Sequence, residues 1–143
     1  METNGRQLAE TYLVMLNTHE PDLVDRFVAE DYRNHNAFVG DGREANRQFW
    51  AAFFRAFPDL SATMEDSVIS GDRVVGRFVY CGTHTGEFMG IPASGNPVEM
   101  RSIDIWRVAD AMFVEHWDEL NLLQLFQQMG ALPPLGGGRE AQS

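Results

Sequence analysis

The stretch at residues 112–130, MFVEHWDELNLLQLFQQMG, sets the fold. A short alternating strand runs through Trp117 into Asp118, and a Leu/Gln-rich helix closed by Gly130 follows directly. A carboxylate thus stands where a strand ends beside a large aromatic, which makes Asp118 the first place to look for chemistry.

Working backward, Asp110-Ala111 reads as the turn joining this strand, near 112–118, to one near 97–108. Gly71-Asp72 likewise joins strands near 60–70 and 73–84. The connection 85–96, TGEFMGIPASGN, is too rich in Gly and Pro for a central strand and is expected to be an irregular excursion on the surface or over a cavity mouth. Before Pro58 the period is helical. Leu8, Tyr12, Met15 and Leu16 mark a first helix from about Asn4 to before Pro21, and Leu23, Val24, Phe27 and Val28 the stripe of a short second one. Asp41 and Glu44 have the offset of a capping box ahead of a third helix carrying Phe49, Trp50, Phe53, Phe54 and Phe57.

This order predicts an α+β domain in which three N-terminal helices pack on one face of a curved antiparallel sheet, with a short C-terminal helix. Such a cone is hollow, and the aromatic content suits the lining of an apolar pocket. One domain is expected over 1–131, with 132–143, LPPLGGGREAQS, a disordered tail.

At 143 residues and 44% hydrophobic content the chain can bury one core without disulfides or metal. Cys81, alone in RFVYCG, reads as a buried structural residue of a reducing compartment. The formal charge of -10 disfavours nucleic acid and anionic lipid. METNGRQLAE lacks signal-peptide order, and no apolar run approaches the roughly 18 residues of a membrane span. A cytoplasmic location is expected. Apolar residues on both faces of strands 73–84 and 97–108 point to a homodimer through the outer sheet face.

The segments DYRNHN, FPDL, SGDRVVGRF, GTHTGEFMGIPASGNPVE, DIWRV and EHWDELNLLQLFQQMG occur in the same order as in the SnoaL-like polyketide cyclases, and the chain resembles that family from about residue 6 to 131. The resemblance implies the cone fold of the nuclear-transport-factor-2 group. It also implies ring closure by intramolecular aldol condensation without cofactor or metal, using an acid/base Asp near the end of the last strand and a neighbouring His. The family's Asp falls on Asp118 and its His position on Asp104, a departure that changes which group donates a proton. Asn121 stands where relatives often carry a second Asp, and Ala111 where they commonly have Gly.

Asp118 is the expected general base, since burial beside Trp117 and Trp106 raises a carboxylate toward working pH; an Asp there also suits a helix cap. A hairpin around Asp110 sets Asp104 opposite or nearly opposite Asp118, where two carboxylates would share a proton. A one-residue slip would instead turn Asp104 outward, toward Arg77, Arg101 or Arg107. His35 is a candidate acid or donor to a substrate oxygen. His116 alternates with Trp117, and Trp117 is taken as the lining residue. Tyr12, Tyr32, Trp50, Phe53, Trp106, Trp117 and Asn121 are the expected substrate-binding set. His35, His84 and His116 lack metal-ligand spacing, so no metal is expected, and the resemblance implies no cofactor.

The leading reading is a cofactor-independent polyketide cyclase or isomerase acting on a small, apolar, carbonyl-rich substrate. Its rivals are an epoxide hydrolase using Asp104 and Asp118 with Arg101 near them, and a non-catalytic binding module.

Overall fold

The computed structural model describes residues 2–133, so the expected tail falls, from residue 134 on, outside the described residues. Helix α1 spans Glu2–Thr18 and buries Leu8, Tyr12, Met15 and Leu16 along one stripe. It stops at His19, whose φ of 58 leaves the helical region, and a 3₁₀ helix, Pro21–Arg26, follows. That single segment is all there is of the expected second helix. Strand β1, Val28–Asn34, comes next, where the sequence reading had no strand. Its two buried residues, Val28 and Tyr32, lie four apart because the pairing register shifts between Val28 and Arg33, so a bulged strand imitates a helical period.

Helix α2, Arg43–Ala56, is capped by Gly42 and not by a side chain. Asp41 instead accepts the backbone N–H of Asn34 at 2.8 Å, and Glu44 pairs with Arg47, so the capping box does not form. Asp41 thereby ties the loop before α2 back to the end of β1.

Strands β2 (Ser61–Ser70), β3 (Arg73–Thr83), β4 (Pro97–Ala109) and β5 (Met112–Leu120) form an antiparallel meander, and β1 adds parallel to β5. The sheet order is β1-β5-β4-β3-β2, open and not closed into a barrel. Helix α3, Leu122–Gln128, is the last element of the described residues. Among the described residues no helix is long and apolar enough to cross a membrane.

Alternation sorts the sheet. In β4, Val98, Met100, Ser102, Asp104 and Trp106 are buried on the inner face under α1 and α2, and Ile103 and Ile105 are exposed on the outer one. The same parity in β3 turns Tyr80 inward and leaves Cys81 exposed opposite Glu99, so the expectation of a buried cysteine is corrected. The 84–96 excursion crosses the end of α2, where the N–H groups of Thr85 and Gly86 both donate to the Ala56 carbonyl at 3.1 Å. A Cβ on Gly86 would stand 2.4 Å from the Arg55 carbonyl oxygen, so only glycine allows this approach, which holds α2 as a wall over the sheet.

Candidate active site

Between α1, α2 and the inner sheet face lies a cavity of about 620 Å³ counting the open solvent at its mouth. Tyr12, Tyr32, Trp50, Phe53 and Trp106, five of the seven expected binding residues, line it. The other two do not. Trp117 lies on the outer sheet face, stacked on His35 with ring centroids 5.0 Å apart and with Arg73 over its ring. Asn121 precedes α3 and uses its side chain on the Arg101 backbone N–H and on Gln124.

At the polar end of the cavity the hairpin register makes Asp104 and Asp118 direct cross-strand partners, and Trp106 and His116 the next inward pair. His116 is 8% exposed and lines the cavity. This reverses the expected preference for Trp117, and the reason is parity: in a regular strand residues 116 and 118 share a face and 117 takes the other. Once Asp118 is turned inward His116 must follow, a signal present in the sequence. His35 is likewise placed outside the cavity. Its Nε2 bonds Glu115 at 2.8 Å, and Glu115 is also held by Arg107 at 3.0 Å.

The hydrogen bonds fix where the protons sit. Ser102 donates to Asp104 Oδ1 at 2.6 Å, and His116 Nε2 meets Asp104 Oδ2 at 2.7 Å. His116 Nδ1 meets Asn34 Oδ1 at 2.9 Å. That atom also accepts the backbone N–H of Asn36, so it is the amide oxygen, and His116 Nδ1 must carry hydrogen. Asp104 and His116 therefore hold two protons between them, one on Nδ1 and one shared along the 2.7 Å contact. Asp104, 2% exposed, shares its proton with His116 and not with Asp118 as expected. Farther along, Ser102 Oγ takes the Tyr80 O–H and Tyr80 Oη takes the Tyr12 O–H, at 2.9 and 2.8 Å, because the Ser102 hydrogen is already committed to Asp104.

Asp118 remains. Asn36 Nδ2 donates to both of its oxygens, at 2.9 and 3.1 Å, and the Asn36 oxygen accepts the Phe38 N–H, which fixes that amide too. Burial pushes the Asp118 carboxyl above its ordinary range; the charges of Asp104 and Glu119 add to the rise, and His116 and the Asn36 donor oppose it. The result is a half-buried carboxylate facing an apolar chamber beside a charge-balanced Asp–His pair. Asp104, His116 and Asp118 could each offer one ligand atom to a cation, all within 4.8 Å of one another, although the Asp104 and His116 atoms are engaged with each other. Arg101, which the epoxide reading requires beside the carboxylates, lies on the outer face against Gln124.

A helix-covered open sheet with a half-buried carboxylate facing its hollow defines the cone fold of the nuclear-transport-factor-2 type. The profile of the SnoaL-like polyketide cyclases matches residues 6–129, and the chain belongs to that family. No curated protein matches it in sequence. Among solved structures, TsrD from Streptomyces laurentii is similar over 92% of this chain and 98% of its own, at 36% identity and a TM-score of 0.86. IdmH from Streptomyces antibioticus is 31% identical with a TM-score of 0.73, covering 88% of this chain and 98% of its own. A SnoaL-like polyketide cyclase from Agrobacterium tumefaciens, at 22% identity and a TM-score of 0.73 over 88% and 98% of the two chains, shares the fold.

Proposed function

We propose that the chain is a polyketide cyclase or isomerase that removes a proton next to a carbonyl of an apolar, carbonyl-rich substrate and so closes or rearranges a ring. The observation that carries this reading is Asp118: the carboxylate faces the aromatic cavity, and its pKa is raised by burial. It takes the proton from carbon, and the same oxygen returns it to the product. The Asp104–His116 pair keeps the neighbourhood from holding two uncompensated carboxylates, so Asp118 can ionise in a dry site. Tyr12, Trp50, Phe53 and Trp106 wall the space in which the substrate is folded. Holding an intramolecular reaction in near-attack geometry can supply on the order of 7 kcal/mol or more of the barrier. The walls therefore share the work with the base.

The test is solvent-deuterium exchange into an aryl-substituted 1,3-diketone, together with turnover of a panel of linear polyketide intermediates. The wild-type chain is expected to accelerate both. Asp118→Asn is expected to lower the rate by about 10²- to 10⁴-fold, the usual contribution of a positioned acid/base group. Equal rates in the two proteins would falsify the assignment of the base.

A further inference from the structure

The geometry points to Tyr32 and Asn46 as a two-donor cradle that binds the substrate's carbonyl oxygen and the enolate oxygen formed from it. This rests on the Asp118 reading above and goes beyond it by naming the groups that receive the electron pair.

Proton removal from carbon sends the C–H electron pair into the new C=C bond and the carbonyl π pair onto oxygen, so a base alone does half the chemistry. A donor must meet that oxygen. The hydrogen bonds of the cavity show which donors are already used. Tyr12, Tyr80 and Ser102 pass their hydrogens in sequence to Asp104. His116 gives one hydrogen toward Asn34 and shares the other with Asp104. The Asn36 amide is directed at Asp118.

Four lining groups keep a hydrogen with no acceptor among the described residues, Tyr32, Asn34 through Nδ2, Asn46 and Trp50, and of these only Tyr32 and Asn46 are buried residues. Tyr32 Oη accepts the Trp106 Nε1–H at 3.2 Å, and its own hydrogen has no acceptor among the described residues. Burial holds that phenol well above its usual range, so the hydrogen stays in place at any working pH. Asn46, on the first turns of α2, is 6% exposed and lines the cavity, and among the described residues its side-chain amide makes no hydrogen bond. The Asn46 amide is not sealed from solvent, and a ligand entering the cavity it lines would complete it. The two stand on neighbouring elements, since the Tyr32 carbonyl accepts the Gly42 N–H at 2.7 Å and Gly42 caps α2. A phenolic O–H and an amide N–H₂ meeting one oxygen would suit a planar aryl ketone or 1,3-dicarbonyl, whose charge delocalises onto oxygen once Asp118 has taken the proton.

The probe is 2-naphthol, whose neutral and ionised forms differ in absorbance and fluorescence, with naphthalene as a control of similar shape and no oxygen. Both are titrated against the full chain carrying Asp118→Asn, which mimics the protonated base, with and without Asn46→Leu or Tyr32→Phe. Each added change is expected to weaken naphtholate binding by about tenfold to a hundredfold, as losing a hydrogen bond to a charged group does, and to lower the ionised fraction bound while naphthalene affinity stays level. Tyr32→Phe also strands the Trp106 N–H and can loosen the fold. Asn46→Leu disturbs no internal bond and keeps the inference open to refutation. Unchanged naphtholate binding in Asn46→Leu, equal losses for naphthalene, or no naphthol binding by the parent overturns the cradle. Because this readout needs no turnover, failure here leaves the Asp118 assignment to be judged by deuterium exchange.

Discussion

Asp118 differs from an ordinary surface carboxylate in two opposed ways: burial lifts its pKa and the Asn36 amide pulls it down. Two outcomes follow for the pH–rate profile. The acidic limb of kcat/KM is expected above the usual carboxylate range, and Asn36→Leu is expected to move it higher still, as initial rates across pH will show. Stability carries the opposite sign. A carboxyl whose folded pKa is raised favours the fold below its unfolded pKa and loses that contribution as pH rises through the folded value. Asp118→Asn should therefore melt higher than wild type at neutral pH, with the gap closing toward pH 3, a trend that thermal scans will read. Much of this residue-level picture is legible in sequence: Asp118 and Asp104 follow from the strand ends about the turn at Asp110 and from the family resemblance, and the five aromatics of the wall from the contact area their rings offer. His116 was not found because Trp117 was weighed by size and not by parity with Asp118. Asn36 and Asn46 escaped because an amide has no sequence signature until its partners, or their absence, are known.

The β4–β5 hairpin shows what an element can carry at a local cost. Asp110 and Ala111 both sit at positive φ, 51 and 63, and the register just beyond sets Asp104 against Asp118. A non-glycine residue in the left-handed region is strained, and alanine has no side-chain hydrogen bond to offset it. Ala111→Gly is expected to stabilise the protein by on the order of 0.5 to 1 kcal/mol, the relief of strain being partly cancelled by a freer unfolded chain. It should raise the urea midpoint at constant slope and leave Asp104 and Asp118 in register. Turn chemistry made the four-strand meander readable before any coordinates. β1 stayed hidden because its bulge spaces the buried residues as a helix would, and because a parallel edge strand has no turn to announce it. Asp41 misled for a related reason: the spacing of a capping box was present, but its carboxylate serves the end of β1.

At the scale of the molecule the outer sheet face is the part the site does not use. Val68, Val75, Ile105 and Trp117 are consecutive cross-strand neighbours and form an apolar row across four strands. Arg73, Arg77, Arg101 and Arg107 share this face with Asp66, Glu99, Glu115 and Glu119, so on a chain of formal charge -10 it is nearly balanced and does not repel its own copy. A second copy of the chain is the occupant we expect there, and Ile105→Lys should convert a dimer to a monomer in sedimentation; a monomeric wild type would remove the idea. His35 and Asn36 are adjacent in the chain yet work on opposite sides of the sheet, one stacked on Trp117 outside and the other gripping Asp118 inside. Whatever steadies the outer stack also steadies the amide that sets the basicity within. Diluting the protein would then register first as a drift in the titration of Asp118, before any change in how tightly the hollow holds its guest.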